Sequence, residues 1–329
     1  MKRLIFTALC FLILSVPLFA QDEPINARYG TLRVGGIIQT TLTYNLDTLE
    51  TQTAFALRSS RLLFSGTVLS DRVKYFVQTE GTTSPYVLDT KVMLTNYIPL
   101  TTISIGRFLP NFTYYMPRSV AKLDLINYPL FVLNYGMWRQ IGIQTTTKTD
   151  YVDFNLGVFN GYPQNNWTED NDGKDILVSG LLKPIDVLRI IGYGWFGNGI
   201  LGDTLDTVKN RYGGGVIFNK PLSEDMSVYV NVEYCIGSDE ITSTYNISSA
   251  GYYLHLGFKV NPYIELLARY DNYDPDTDNG GDATKWITGG INYNLDGDHV
   301  RFSLNYIKKS EETAEYQNDQ LITQFQLYF

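Results

Sequence analysis

The last nine residues, Leu321 to Phe329, constrain the fold more than any other stretch. In an extended strand Leu321, Phe325, Leu327 and Phe329 share one side, with Thr323 between them, while Ile322, Gln324, Gln326 and Tyr328 share the other. An apolar strand that stops at an aromatic terminus is unusual in a soluble domain, whose terminal residues tend to be loose. It fits the closing strand of a transmembrane β-barrel: apolar toward lipid, polar toward a wet lumen, aromatic at the membrane interface. A soluble edge strand is the competing reading, and the rest of the chain decides between them.

The same period of two recurs along the sequence. Leu32, Val34, Gly36, Ile38, Thr40, Leu42 and Tyr44 oppose Arg33, Gly35, Gln39 and Thr43. Val228, Val230, Val232 and Tyr234 oppose Tyr229, Asn231 and Glu233. Val300, Phe302, Leu304 and Tyr306 oppose Arg301, Ser303 and Asn305, and residues 286–295 repeat the scheme. No helical period of comparable length is present.

The connections alternate in length. Short ones are predicted at 70–71, around Pro99, and at 147–150, 184–186, 220–225, 261–262 and 296–298. Longer ones are predicted at 45–52, 81–85, 109–138, 161–174, 198–210, 237–248, 274–283 and 309–319. This is the rhythm of an all-β, antiparallel transmembrane barrel of about sixteen strands, with tight turns at one end and long outer loops at the other. A closed barrel pairs every backbone group within lipid. At that size side chains cannot fill the lumen, so an aqueous channel is expected. The longest connection, 109–138, is apolar and aromatic. It is expected to fold inward against the wall and narrow the pore.

Residues 1–20 read as a secretory signal peptide, with Lys2 and Arg3 before an apolar run, leaving 21–329 as the barrel. Cys10 lies inside that leader, so the mature chain keeps Cys235 alone and has no disulfide framework. Losing Lys2 and Arg3 takes the formal charge from −8 to about −10. That acidic balance disfavours nucleic acid as a partner, because phosphate binding needs a clustered basic face. After Ala20 no run of eighteen apolar residues remains to form a helical span.

Several segments resemble the phosphate-selective porin family (the O and P type) of Gram-negative outer membranes. An arginine cluster runs into an aromatic strand at Arg58, Arg61, Phe64 and Gly66. Asp71 to Glu80 and Leu88 to Val92 follow as strands, and Gly106, Phe108, Pro110 and Phe112 resemble the family's entry to its constriction loop. Arg139, Gly142 and Gln144 resemble the exit, and Gly157-Val-Phe-Asn-Gly161 a further signature. The order and spacing agree over residues 58–184; the carboxy-terminal half is similar in texture only. Ser59 stands where a second arginine is common, and residues 176–183 lack an arginine that some members carry. The resemblance implies an outer-membrane porin without cofactor, commonly trimeric, in contact with outer-membrane lipid and lipopolysaccharide, and passing small anionic solutes by passive diffusion.

The charges point the same way. Arg107, Arg118, Lys122 and Arg139 outnumber Asp124 in and beside the long connection, within an otherwise acidic chain. Folded inward, they are the expected pore constriction, where low local dielectric draws in small anions. Strand parity turns Arg33, Arg61, Lys74 and Lys91 inward as a basic pore wall, opposed by Glu80, Asp89, Asp153, Glu233 and Glu265. If these charges pair off, the pore is non-selective or cation-leaning instead.

Three further readings compete. The run from Asp274 to Gly280 invites a calcium-loop reading, but the twelfth position, where the closing glutamate belongs, is Lys285. A solvated acidic outer loop is the better reading, with a divalent ion bridging to lipopolysaccharide as the alternative. A barrel hydrolase would need an imidazole base, and only His255 and His299 are available, neither in a nucleophile motif. A chain that is not an enzyme, with no metal site, is expected. An adhesin or structural barrel would predict a lumen plugged by side chains.

Overall fold

A computed structural model describes residues 25–46, 52–161, 173–201, 205–242, 245–313 and 318–329. The expected signal peptide lies outside the described residues. A short strand, β1 (Ile25–Ala27), lies on β2 (Gly30–Asn45). There follow β3 (Thr53–Val68), β4 (Ser70–Glu80), β5 (Tyr86–Ile98), β6 (Thr101–Phe108), β7 (Gln140–Lys148) and β8 (Val152–Phe159). The second half adds β9 (Asp175–Ile185), β10 (Leu188–Leu201), β11 (Leu205–Pro221), β12 (Ser227–Thr242) and β13 (Tyr245–Lys259). It ends with β14 (Ile264–Asp274), β15 (Thr284–Asp296), β16 (Val300–Glu311) and β17 (Gln320–Tyr328).

From β2 to β17 each strand pairs antiparallel with its successor, β9 with β10 included, and β17 returns to β2. The sheet is therefore a closed barrel of sixteen strands. Closure runs to the final residue: Phe329 N–H donates to Gly36 O at 3.0 Å, and Gly36 N–H donates to Phe329 O at 2.8 Å. With no edge left over, the cylinder needs no water for its backbone.

Its two faces invert the pattern of a soluble protein. The outside exposes Val34 (51%), Ile143 (50%) and Val158 (46%), with tyrosines such as Tyr234, Tyr252 and Tyr306 among the aliphatics. The inside buries Gln39, Gln78, Gln144, Asn155, Asn231, Asn292, Asn305 and Gln326. Period two produces this directly, because alternate side chains leave a strand on opposite faces. Such a surface is stable only in lipid.

Two predicted outer loops are mostly strand. β10 and β11 pair out to Leu201 and Leu205, and β12 and β13 out to Thr242 and Tyr245. The polar residues read as loop there remain on an antiparallel ladder, since composition marks where lipid ends rather than where hydrogen bonding ends. The predicted tight turns recur within a residue or two, as at Leu69 and at Pro99–Leu100.

Candidate functional site: the loop across the lumen

The connection between β6 and β7 enters the barrel, as its composition requires. Phe112, Tyr115, Met116, Leu123, Leu125, Phe131 and Val132 are each no more than 2% exposed. Leaving this many large apolar groups in water would cost about 1.5–3 kcal/mol each. Gly106, at φ +132°, marks the approach to the loop; a Cβ there would meet Thr90 O at 2.2 Å. That conformation is open to glycine alone. Within the loop lie a 3-10 turn, Val120–Lys122, capped by Ser119 Oγ, and a short helix, α1 (Leu130–Tyr135).

The loop's aromatic side packs on the inner wall from β8 to β13. Phe112 meets Tyr193 and Trp195 edge-on, and Phe131 stacks on Tyr253 with centroids 5.7 Å apart. Its irregular backbone would otherwise bury unpaired N–H and C=O groups, at about 1–3 kcal/mol apiece. Wall side chains supply the partners. Asn111 N–H donates to Gln144 (3.0 Å), Tyr114 N–H to Glu233 (3.0 Å), Ile126 N–H to Asn305 (2.8 Å) and Leu130 N–H to Asp271 (2.9 Å). The carbonyls of Val120, Ala121, Asp124, Ile126, Asn127 and Tyr128 accept from Gln39, Gln326, Asn292, Arg58 and Arg269. These partners sit on β2, β3, β7, β12, β14, β15, β16 and β17, so the loop is fastened around most of the circumference. Parity turns Gln39, Glu233, Asn305 and Gln326 inward, but it turns Arg58 outward; a register shift in the pairing of β2 with β3 at Arg58 brings it to the loop.

The predicted constriction residues separate. Arg118 sits over the rings of Tyr114 (4.2 Å) and Tyr115 (4.9 Å), with Asp124 Oδ2 3.5 Å from its Nη1. Burial disfavours its charge, yet Asp124 together with the phenols of Tyr114, Tyr115 and Tyr253 outweighs that and holds the guanidinium's pKa above the ordinary arginine value. Burial, then Asp124, pushes the Tyr115 phenol well above its usual range. The phenol donates to Asp124 Oδ2 and also meets His255 Nδ1, each at 2.7 Å. Lys122 reaches the turn between β15 and β16, 2.9 Å from Asp298. Arg139 donates from Nε and Nη2 to Asp89 Oδ2 at 3.1 and 3.0 Å. Arg107 is 4% exposed, and its guanidinium donates to the carbonyls of Val87 and Leu88. That places its guanidinium against the β5 backbone.

On the wall Arg61 pairs with Glu80 at 2.8 Å. Among the described residues Arg33, Lys74 and Lys91 form no ion pair; the first two are exposed near the tight-turn end, and Lys91 is partly buried. Cavities remain beside the loop. One of about 480 Å³ is lined by Tyr114, Arg118, Asp124 and Arg189, and reaches the turn at Asp186. Another of about 350 Å³ brings together Arg61, Lys91, Arg139 and Asp89. A third of about 310 Å³ includes Lys148 and Asp153.

His255 is fully buried under the loop and His299 bonds the Tyr328 carbonyl. Among the described residues no group of three or more metal-ligating side chains comes together.

The family described as Phosphate-selective porin O and P matches residues 238–329. This is the half in which the motif reading found texture only. No curated protein matches the chain. The fold is similar to an anion-selective porin from Comamonas acidovorans, at a TM-score of 0.71 and 15% identity over 91% of this chain and 100% of that one. It is also similar to the outer membrane channel DcaP of Acinetobacter baumannii (0.68, 11%, 93% and 100%) and to OmpT of Vibrio cholerae (0.66, 14%, 93% and 100%).

Proposed function

We propose that this chain is an outer-membrane porin that lets small hydrophilic solutes diffuse passively, with a preference for anions. The observation that carries the reading is the inverted barrel: an apolar exterior, a polar interior, and one inward loop with cavities beside it. No cofactor or bond-making step enters. The anion preference rests on Lys91, Arg33 and Lys74, cations of the inner wall without an ion-pair partner among the described residues, and on the partly buried setting of Lys91, which strengthens its field. The resemblance to the phosphate-selective family and to an anion-selective porin supports it. Assembly as a homotrimer is part of the same proposal, supported by OmpT of Vibrio cholerae, a neighbour described in a trimer form.

A second reading has its own observation. Arg61, Arg118, Lys122 and Arg139 are each matched by a carboxylate, which favours a weakly selective pore. Reversal potentials in planar bilayers under a KCl gradient separate the two. A potential of the chloride-selective sign is expected, and one near zero or of the potassium sign would establish the second reading. A reconstituted barrel with no conductance would overturn both.

A further inference from the structure

The cavity of about 350 Å³ between β3, β4, β5 and the loop is at the small end of ligand pockets, which run to roughly 300–1,000 Å³. Its wall carries unused donors. Lys91 Nζ lies over the rings of Phe76 (5.7 Å) and Phe108 (5.3 Å) and has no hydrogen-bond or ion-pair partner among the described residues. Gln78 is 5% exposed, and its Nε2 finds no acceptor among the described residues. A buried amide N–H is costly to leave unmade, so a ligand oxygen here would be stabilised by more than its contact alone.

The remaining charges nearly cancel. Among the cations lining the cavity Arg61 is held by Glu80 and Arg139 by Asp89, which leaves Lys91 as the one lining cation without an ion pair among the described residues. A single charge matches a monoanion better than a doubly charged one. The rest of the lining is apolar in good part: Phe76, Met93, Leu109 and Pro117. Inorganic ions gain nothing from such walls, whereas a carbon skeleton does.

We propose that this cavity binds small organic monocarboxylates, with the carboxylate on Lys91 and Gln78 and the apolar body against Phe76, Met93 and Leu109. The inference rests on the porin reading and specifies a solute class that it does not.

The test is block of single-channel current by acetate, propionate, butyrate and inorganic phosphate at matched ionic strength. Each CH₂ buried should lower the half-blocking concentration about fourfold, placing butyrate roughly fifteenfold below acetate. Phosphate should block more weakly than butyrate. Lys91→Gln should raise the butyrate value about tenfold, and Phe76→Ala should flatten the chain-length dependence. Block that ignores chain length, or phosphate acting at lower concentration than butyrate, would overturn the proposal. Should Lys91→Gln fail to fold, the series on the unaltered protein decides. If the reconstituted barrel conducts nothing, the porin reading fails, and calorimetric titration of butyrate into the detergent-solubilised protein decides this proposal separately.

Discussion

Lys122 Nζ stands 2.9 Å from Asp298 Oδ2, joining the 3-10 turn of the inward loop to the turn between β15 and β16. Both side chains are well exposed, at 46% and 37%, so the pair adds about 0–1 kcal/mol at most. Its effect is positional. Lys122→Met, which leaves Asp298 paired with the buried Arg301, should keep barrel stability within about 1 kcal/mol of the original while freeing this part of the loop, and single-channel records should show more current fluctuation. A quiet trace at unchanged conductance would mean that Gln39 and Gln326 hold the segment alone.

Reversing two loop cations addresses selectivity. Arg118→Glu with Lys122→Glu should lower the anion-to-cation permeability ratio by about threefold or more, read as a shift of reversal potential. An unchanged potential would remove the loop from the selectivity mechanism.

Arg139 and Asp89 are both under 10% exposed and hydrogen-bonded to each other. Asp89→Leu alone strands a buried guanidinium and should cost about 3–5 kcal/mol in detergent unfolding. Adding Arg139→Met should recover most of that loss, because an apolar pair of similar volume needs no desolvation.

Gly251 lies under α1, and a Cβ there would sit 2.5 Å from Phe131 Cβ. Backbone-mounted atoms on both sides leave little room to adjust. Gly251→Ala should therefore push the helix off the wall at a cost of about 1–3 kcal/mol and change conductance, with the barrel still folded by its heat-dependent gel mobility.

Tyr115→Phe removes the hydroxyl that meets both Asp124 and His255 at 2.7 Å. The loss should be about 1–3 kcal/mol, because two polar groups lose their shared partner beneath the loop. The same change at Tyr114, whose ring is only partly buried, should cost under 1 kcal/mol in the same assay.

Alternation along each strand, the closing nine residues and the apolar makeup of 109–138 together determined a closed barrel with one inward loop. Each is a local property, since period two assigns a face without reference to any distant residue. Local pattern also misled at 198–210 and 237–248, because polarity marks the end of the lipid while the ladder continues. Only the tertiary structure decided how the loop lies. Its backbone has no regular partners, so it takes them from side chains on eight strands, and that matching depends on where the cylinder brings Gln39, Glu233, Arg269 and Asn305. Charge followed the same division. The sequence counted the cations at the loop, but which of them meets a carboxylate, and that Lys91 meets none among the described residues, is fixed by distances that close only when the barrel does.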